Sequence, residues 1–407
     1  MLVGDFGGFI LGLGTAIFIR YGFVFNGSLW RQSCYYFIPV FLIWLLIFFI
    51  FRLYELIYLA NRKEFFERMA KISLINIISA VIYFYSVSFE YYRPSLVLVL
   101  TVFFSLLFVF LWRIIANKLL GLKKIKVVLK SIHPRAEELK QIIEKNPQLG
   151  YEINEGLNED EKTIVIIDEL DSEADTPYCR HLPLEEFYEL ICQKVSLDLI
   201  SLNWFNEARQ TNRIYYEVIK NVSDRIFGFL FFLVTLPLWP VIAFLIKIDS
   251  SGEIIYRSQR IGRNKKPFSI YKFRTMVEGA NKIGPAWTEE NDTRITRMGK
   301  FLRKTHLDEL PQVLNIIKGD ISFVGPRPEE EALTKLYEKE IPYYEYRFLM
   351  KPGVVGWAQI NYPQSASLED ARKKYEYDLY YLKYRNLIFD FIIALKAWRI
   401  PLEIPTH

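Results

Sequence analysis

Residues 224–249 read DRIFGFLFFLVTLPLWPVIAFLIKID, an apolar run with charged residues at both ends. Its apolar part, Ile226 to Ile248, is long enough to cross a bilayer. Pro237 and Pro240 lie near its middle, where a proline removes a backbone hydrogen bond and clashes with the preceding turn. About eleven residues precede Pro237, or roughly 16 Å of helix, which reaches only the bilayer midplane. The pattern predicts a helix that enters the membrane, breaks and returns to the same face. A kinked spanning helix is the alternative.

Upstream of this run, the first part of the chain contains four more apolar segments separated by charged loops. Four such runs in close succession favour a membrane region over the buried core helices of a soluble protein. The composition agrees, because 51% of the residues are hydrophobic while 24% are charged, which is typical of a chain that is part membrane and part soluble. We expect the segments at Phe6–Ile19, Tyr35–Phe51, Ile72–Phe89 and Pro94–Trp112.

The basic residues predict the orientation of these segments. They concentrate in the loop after the second segment and in the stretch after the fourth, whereas the other two connections hold few. The N-terminus and everything after Trp112 should therefore be cytoplasmic. The loop after the second segment carries Arg52, Arg62, Lys63, Arg68 and Lys71, and the stretch after the fourth carries Arg113, Lys118, Lys123, Lys124 and Lys126. The connection between the first and second segments has only Arg20 and Arg31, and the connection between the third and fourth has only Arg93.

Residues from about 123 to 205 change character and are typical of a soluble unit. Ile125–Leu129 and Thr163–Ile167 are short β-branched runs, each followed by a helical pattern, which predicts a small α/β unit with a parallel sheet. A dinucleotide site would need a glycine-rich turn after the first strand, and Lys130–Pro134 contains no glycine. We therefore interpret the unit as structural or regulatory, with His133 as a loop residue.

The charge and the cysteines exclude other classes of protein. A formal net charge of +5 is modest and does not indicate nucleic-acid binding, whereas basic residues near apolar segments suit an anionic membrane surface. The three cysteines, Cys34, Cys179 and Cys192, form no Cys-x-x-Cys pair, so neither a disulfide framework nor a zinc site is indicated.

Two adjacent carboxylates, Asp308 and Glu309, form the strongest local signal for chemistry. Glu309–Lys318 has the pattern of a short helix with Asp308 at its start, and a helix N-terminus favours anions. Taken alone, the pair would be interpreted as a helix-capping aspartate followed by a glutamate in the first turn, which is common in any helix. Gly-Pro turns around Arg327 and a dense basic region upstream instead predict a phosphoryl-transfer site with a divalent metal. The basic residues include Arg260, Lys272, Arg274, Arg294 and Arg303.

From about Val222 to the C-terminus, the chain closely resembles the bacterial sugar transferase family, the monotopic polyprenyl-phosphate sugar-1-phosphate transferases. The whole chain is similar to the large members, which have four N-terminal helices and a Rossmann-like middle domain, and the stretch with Asn361-Tyr362-Pro363 is similar to exopolysaccharide-system members. The motifs that carry the resemblance are Tyr256–Gly262, Lys272–Met276, Leu302–Thr305, Asp308–Gln312, Val324–Glu329, Lys351–Gln359 and Tyr377–Tyr381.

The resemblance implies a reaction and its participants. Asp308 would attack the phosphate of a nucleotide sugar, with a UDP sugar as the expected donor, and release a nucleoside monophosphate. Polyprenyl phosphate would then take the sugar-phosphate from Asp308. The resemblance also implies that the protein lies in the inner membrane of a bacterium. Glu309 would help to hold Mg2+. Physical chemistry agrees, because a phosphate monoester has a second pKa of about 6 and gains little from a general base. The residues expected to bind substrate phosphates are Lys272, Arg274, Arg260, Arg294, Arg303, Arg327 and Gln359.

The predicted fold class is a membrane protein of the α+β type. We expect a transmembrane four-helix bundle at 1–116, a degenerate Rossmann-like domain at 117–215, and a mainly helical catalytic domain at 216–407 with the re-entrant helix at 226–248. The partners would be the nucleotide sugar, the polyprenyl phosphate and the membrane, and a homo-oligomer is compatible with the sequence. Two alternatives stay open: a conventional glycosyltransferase that releases a nucleoside diphosphate, and a scaffold with a vestigial transferase domain.

Overall fold

The computed structural model describes twelve stretches of the chain, and Arg62, Arg93, Lys123 and Pro363 lie outside them. Contacts between residues divide the chain into two compact units, Met1–Phe187 and Tyr188–His407. The domain boundaries expected at 116/117 and 215/216 stay predictions. The described residues are 1–22, 27–55, 63–86, 95–120, 124–154, 163–167, 179–200, 204–206, 208, 213–280, 292–362 and 367–397.

The first unit begins with four helices that are long and apolar enough to cross a membrane, as the sequence predicted. Each is longer than its predicted apolar segment, because polar residues continue the helix beyond the apolar run. The third begins nine residues earlier than expected and carries Arg68 and Lys71 in its first turns. The helices are α1 (Leu2–Tyr21), α2 (Gly27–Ile50), α3 (Lys63–Ser86) and α4 (Ser95–Leu120).

Glycines explain why α1 packs so closely on α4. A Cβ atom on Gly12 would lie 2.4 Å from the backbone nitrogen of Ser105, and one on Gly8 would lie 3.0 Å from the side chain of Val109. Only glycine permits this approach of two helices, which is the small-residue packing common in membrane bundles. The Ser105 hydroxyl also donates to the carbonyl of Phe9 at 3.1 Å.

A buried ion pair joins the same two helices. Arg113 lies inside α4 with no exposed surface, and its guanidinium donates to both carboxylate oxygens of Asp5, at 3.1 and 2.5 Å. Its third donor reaches the carbonyl of Leu53 at 2.8 Å. The prediction that Arg113 follows the fourth membrane segment is therefore wrong, because Arg113 lies inside α4. An arginine normally marks the end of an apolar run, but here the carboxylate of Asp5 on α1 compensates its charge.

The first unit ends in a four-stranded parallel sheet, which confirms the predicted α/β unit. Its strand order is β2-β1-β3-β4, and His133 caps the following helix by accepting from the backbone N–H of Arg135. The loop therefore serves to start a helix. The elements are β1 (Ile125–Leu129), α5 (Pro134–Lys145), β2 (Tyr151–Ile153), β3 (Thr163–Ile167) and β4 (Cys179–Pro183), followed by α6 (Leu184–Cys192) across the boundary between the units.

The second unit begins with a bent pair of helices, α7 (Ile214–Thr235) and α8 (Leu238–Asp249), whose axes differ in direction by 62°. The break lies at Leu236 and Pro237, in agreement with the sequence, while Pro240 falls in the tolerant first turn of α8. The polar beginning of α7 extends the helix twelve residues upstream of the apolar run. A row of apolar side chains on both arms is exposed, including Phe227, Leu230, Val234, Val241, Phe244 and Ile248.

Both arms of this helical pair pack on one compact body. On the first arm, a Cβ atom on Gly228 would lie 3.1 Å from Ile316. On the second, the Trp239 ring contacts Phe273 edge-to-face with centroids 5.5 Å apart, and Ile242 packs in the same apolar cluster. The strand that bears Phe273 and the helix that bears Ile316 are hydrogen-bonded to each other, as described below.

The body consists of a β-hairpin, a short parallel strand pair and helices. Residues between 195 and 208, including Trp204 and Phe205, contribute to its hydrophobic core together with Tyr375 and Leu379. The elements are β5 (Ile255–Ile261), β6 (Pro267–Phe273), α9 (Arg297–Thr305), a 3-10 turn (Leu307–Glu309), α10 (Gln312–Lys318), β7 (Ser322–Val324), α11 (Glu331–Glu340), a 3-10 helix (Tyr344–Leu349), β8 (Gly353–Val355), α12 (Trp357–Asn361), α13 (Leu368–Tyr384) and α14 (Leu387–Ala397).

The Asp5–Arg113 pair yields a test of how the first bundle is held together. We expect Arg113→Met to destabilise the protein by about 3–5 kcal/mol, because it leaves the buried carboxylate of Asp5 without a partner. The double variant Asp5→Leu/Arg113→Met removes both charges and should regain most of the loss. Thermal unfolding of the purified protein in detergent measures both effects. Arg20→Met, an exposed arginine at the end of α1, is the control. A wild-type unfolding temperature for Arg113→Met would contradict the role of the pair.

Candidate functional site

The carboxylate pair lies in a 3-10 turn between α9 and α10. His306 leaves α9 in the left-handed conformation, with φ of 55°, and Leu307–Glu309 form the turn before α10 begins at Gln312. The predicted helix start at Glu309 is therefore wrong by three residues. Pro311 has no N–H to continue the helical ladder, and the bonds around it, such as Val313 N–H to the carbonyl of Leu310, span three residues. Asp308 therefore lies in the turn that precedes α10 and not in the first turn of that helix.

Glu309 is held by two of the predicted cations. Lys272 on β6 donates to its Oε1 at 2.7 Å, and Arg327 from the Gly-Pro loop donates to the same oxygen at 3.2 Å. Burial raises the pKa of Glu309, but the ammonium and the guanidinium outweigh burial and bring the pKa well below its usual range. Glu309 therefore stays ionised and joins the strand and the loop at one point.

Asp308 has a different environment, although it is the next residue. It is 8% exposed, and its carboxylate accepts no hydrogen bond from any residue that the structure describes. Burial raises the pKa of Asp308 above its usual value and the Glu309 carboxylate raises it further, while Lys272, Arg303 and His306 lower it without cancelling burial. Asp308 thus lies near basic side chains while its oxygens accept no hydrogen bond from the described residues, which suits a nucleophile.

Arg303 lies between Asp308 and a second group of charged residues, Asp292 and Arg294, in its electrostatic interactions. It lies on the last turn of α9, donates from Nε to the Thr275 hydroxyl at 2.9 Å, and is electrostatically coupled to both Asp308 and Asp292. Arg294 is engaged with Asp292, from Nη2 to Oδ2 at 2.6 Å, and this pairing lowers the pKa of Asp292 to about 2. Arg303 therefore lies near Asp308, whereas the contact of Arg294 is with Asp292.

The other three residues predicted to bind phosphate have partners elsewhere. Arg274 is buried and donates to the carbonyl of Ser250 at 2.8 Å, which caps the end of α8. Arg260 pairs with Glu330 at 2.8 Å. The Gln359 amide oxygen accepts from the backbone N–H of Gly356 at 2.7 Å and so starts α12. Their roles in substrate binding stay predictions, and the structure gives each a structural task.

Two groups of positioning residues were missed by sequence reasoning. Asn315, fully buried on α10, accepts from the Tyr271 N–H at 3.1 Å and donates to the carbonyl of Ser269 at 2.7 Å, which fixes β6 and its Lys272 beside the turn. Arg347 donates to the carbonyl of Arg327 at 2.6 Å and to Asp378 at 2.8 Å, which fixes the Gly-Pro loop. The signal for Asn315 was a polar residue inside the apolar stretch Val313–Ile317.

A divalent metal ion at this site would have few protein ligands. The described residues contain no cluster of three or more His, Cys, Asp or Glu side chains. Mg2+ needs no such cluster, because it commonly uses one or two carboxylates together with water and substrate phosphates. The adjacent carboxylates of Asp308 and Glu309 fit that requirement, with Glu309 Oε1 already bound to two cations.

Comparison with known proteins places these features in a family. The profile of the bacterial sugar transferases matches residues 215–403. The chain is 35% identical over 222 residues to a UDP-N-acetylgalactosamine-undecaprenyl-phosphate N-acetylgalactosaminephosphotransferase of Aeromonas hydrophila, covering 54% of this chain and 52% of the relative. It is 38% identical over 179 residues to a UDP-glucose:undecaprenyl-phosphate glucose-1-phosphate transferase of Escherichia coli K12, covering 44% and 39%. The match thus spans about half or less of the length of these two relatives.

A shorter relative is matched over almost all of its length. The chain is 37% identical over 179 residues to an exopolysaccharide production protein of Rhizobium leguminosarum bv. phaseoli, and the match covers 42% of this chain and 90% of that protein. The family profile, which matches residues 215–403, covers the turn with Asp308 and Glu309. The chain therefore belongs to the bacterial sugar transferase family, as its motifs and the arrangement of its carboxylates and cations indicate.

Proposed function

We propose that the protein transfers a sugar-1-phosphate from a nucleotide sugar to undecaprenyl phosphate and releases a nucleoside monophosphate. This would be the first membrane step in the synthesis of an exopolysaccharide or another glycoconjugate. The observation that carries the proposal is the buried Asp308, which accepts no hydrogen bond from the described residues and lies beside an ionised Glu309 that binds Lys272 and Arg327. The named relatives act on UDP sugars, which supports a uridine nucleotide as the donor.

The chemistry proceeds in two displacements at one phosphorus atom. An oxygen of Asp308 attacks the phosphorus that bears the sugar, and the bond to the bridging oxygen breaks, so that the electron pair leaves with the nucleoside monophosphate. An oxygen of the lipid phosphate then attacks the same phosphorus and releases the Asp308 carboxylate. The acceptor is largely deprotonated at neutral pH and needs no general base. The second step therefore requires positioning and charge neutralisation.

The cations have distinct tasks in this scheme. Lys272 and Arg327 converge on Glu309 Oε1, so a phosphoryl group approaching Asp308 meets positive charge on that side. Arg303 offers a second cation from α9, oriented by its bond to Thr275. Donors fixed before the substrate arrives stabilise charge that develops in the transition state without reorganising.

Mg2+ is the proposed cofactor, with Glu309 as its main protein ligand and Asp308 next to it. When bound, it would neutralise charge on the phosphate oxygens of the donor. Glu309 keeps an oxygen for this purpose, because Lys272 and Arg327 both bind Oε1. The positions of these two cations orient the Glu309 carboxylate.

We propose that α7 and α8 form a re-entrant hairpin and that the catalytic body faces the cytoplasm. Two features support this. First, α8 has 12 residues, or about 18 Å of helix, which is short of the roughly 30 Å apolar thickness of a bilayer. Second, both arms pack on the same body, at Gly228 and at Trp239. A crossing would move the end of α8 away from the side on which α7 begins.

Two other functions are separated from the proposal by specific observations. A glycosyltransferase of the ordinary kind would release a nucleoside diphosphate, and it has no use for a carboxylate nucleophile aimed at phosphorus. A scaffold would need none of the hydrogen bonds that hold Lys272 and Arg327 on Glu309. Chromatography of the released nucleotide distinguishes UMP from UDP and decides between the two transferase reactions.

Replacement of the nucleophile is the first test. Asp308→Asn keeps the size of the side chain but removes the attacking oxyanion, so kcat should fall by several orders of magnitude while the protein stays folded. The assay is release of UMP from UDP-N-acetylgalactosamine or UDP-glucose with undecaprenyl phosphate present. Glu331→Gln, an exposed residue paired with Lys335 on α11, is the matched control and should keep full activity. Near-normal turnover by Asp308→Asn would refute the mechanism.

Replacement of Glu309 tests the cofactor. Glu309→Gln removes the charge that binds Lys272 and Arg327 and that would bind Mg2+, so both activity and apparent Mg2+ affinity should fall. The measurement is the Mg2+ dependence of UMP release, compared with the dependence of Glu331→Gln. Glu309→Gln with an unaltered Mg2+ requirement and intact activity would remove Glu309 from the metal site.

Cysteine labelling tests the topology. Single cysteines are placed at Val222, which precedes the apolar run within α7, and at Ser251, which follows α8, in a variant that lacks the three native cysteines; both positions are exposed. Both should be protected from an impermeant thiol reagent in intact cells and react after the membrane is opened. A control cysteine placed on the periplasmic side should react in intact cells. Labelling of Ser251→Cys from outside would show that the run spans the membrane.

A further inference from the structure

Next to the carboxylate pair lies a second charged feature, a cleft between the Gly-Pro loop, the 3-10 helix Tyr344–Leu349, α12 and α13. Arg327 belongs to both places, since it contacts Glu309 and also lines the cleft. The other charged residues that line the cleft are Glu329, Arg347, Lys374 and Asp378. The cleft is small, with a volume of about 30 Å³, so it can take one phosphate-sized group and not a whole nucleotide, and it shares Arg327 with the carboxylate pair.

The cations of this cleft are not equivalent. Arg347 is fully engaged by Asp378, at 2.8 Å, and by the carbonyl of Arg327, at 2.6 Å. Lys374 on α13, in contrast, makes no hydrogen bond or ion pair with any residue that the structure describes. It is half-buried, burial lowers its pKa, and the Glu329 carboxylate raises it. Lys374 is thus a partly desolvated ammonium whose N–H groups can bind a ligand, and it lines the same cleft as Arg327.

We propose that Lys374 and Arg327 bind the phosphate of the departing nucleoside monophosphate. This inference rests on the proposed function and names the site of its leaving group. When the bond between phosphorus and the bridging oxygen breaks, the electron pair stays on the nucleotide phosphate. Arg327 contacts Glu309 and lines the same cleft as Lys374, so both cations are available to the developing charge.

The surroundings assign this phosphate to the nucleotide and not to the lipid. The apolar arm α8 packs with β6, α9 and the turn, through Ile242, Ile246, Phe273 and Leu302. A lipid phosphate held at the membrane therefore reaches Asp308 from the side of α9 and Arg303. The cleft is built from other elements, and tyrosines 337, 344 and 375 line it. None of the described residues that line the cleft belongs to α7 or α8, so the arms that would lie in the membrane do not reach it.

UMP itself is the probe, and the full-length protein in detergent is the sample. We expect Lys374→Gln to raise the Kd of UMP, measured by equilibrium dialysis, by about tenfold, as for the loss of one charge-assisted hydrogen bond. The KM for the UDP sugar and the UMP inhibition constant should rise by a similar factor, while the KM for undecaprenyl phosphate stays the same. Lys374→Arg should retain UMP binding, since it keeps the charge.

The neighbouring lysine provides the control. Lys373 is exposed on the same helix, pairs with Glu369 at 2.7 Å, and does not line the cleft, so Lys373→Gln should bind UMP like the wild type. An unchanged Kd and inhibition constant in Lys374→Gln would overturn the inference. A change confined to the KM of the lipid would overturn it too, because the phosphate site would then belong to the acceptor. If the wild type releases no UMP at all, the proposed function fails, whatever Lys374 does.

Discussion

The structure of the site depends on one carboxylate oxygen that is shared by two cations. Glu309 Oε1 accepts from Lys272 and from Arg327, which come from β6 and from the Gly-Pro loop. Removal of Glu309 would leave both cations without this partner, and removal of either cation would leave the buried Glu309 carboxylate with only the other, which is costly. Because Glu309 binds both cations, the adjacent Asp308 has no hydrogen-bond donor among the described residues to give up before it reacts. The division of tasks between two neighbouring carboxylates thus follows from which of them the cations bind.

The rest of the second unit keeps this arrangement in place next to a membrane. Asn315 ties α10 to β6, and Arg347 with Asp378 ties the Gly-Pro loop to α13, so both cations are held from behind. The bent helical pair packs on the same α10 and β6. The elements that would face lipid therefore pack directly on the elements that position the reacting groups. A water-soluble nucleotide and a membrane-bound acceptor can meet at such a place without either leaving its own phase.

Sequence reasoning predicted those features that depend on the local pattern of residues. The length of the apolar segments predicted the four helices, and the β-branched runs predicted the parallel sheet. The missing N–H of proline predicted the break at Pro237. It failed where a partner distant in the chain decides. Arg113 ended an apolar run in the sequence but is compensated by Asp5 from another helix. Among many arginines in similar motifs, nothing local distinguishes Arg327, which meets Glu309, from Arg260, which meets Glu330.

The central claim is that Asp308 forms a covalent bond to the sugar-phosphate before the lipid takes part. Isotope exchange between labelled UMP and unlabelled UDP sugar, with no undecaprenyl phosphate present, tests it most directly. A covalent intermediate can return its sugar-phosphate to UMP, so the account predicts that label enters the UDP sugar at a rate comparable to turnover and that Asp308→Asn abolishes it. An enzyme that transfers sugar-phosphate to the lipid but shows no exchange without it would contradict the account, because the lipid would then attack the donor directly.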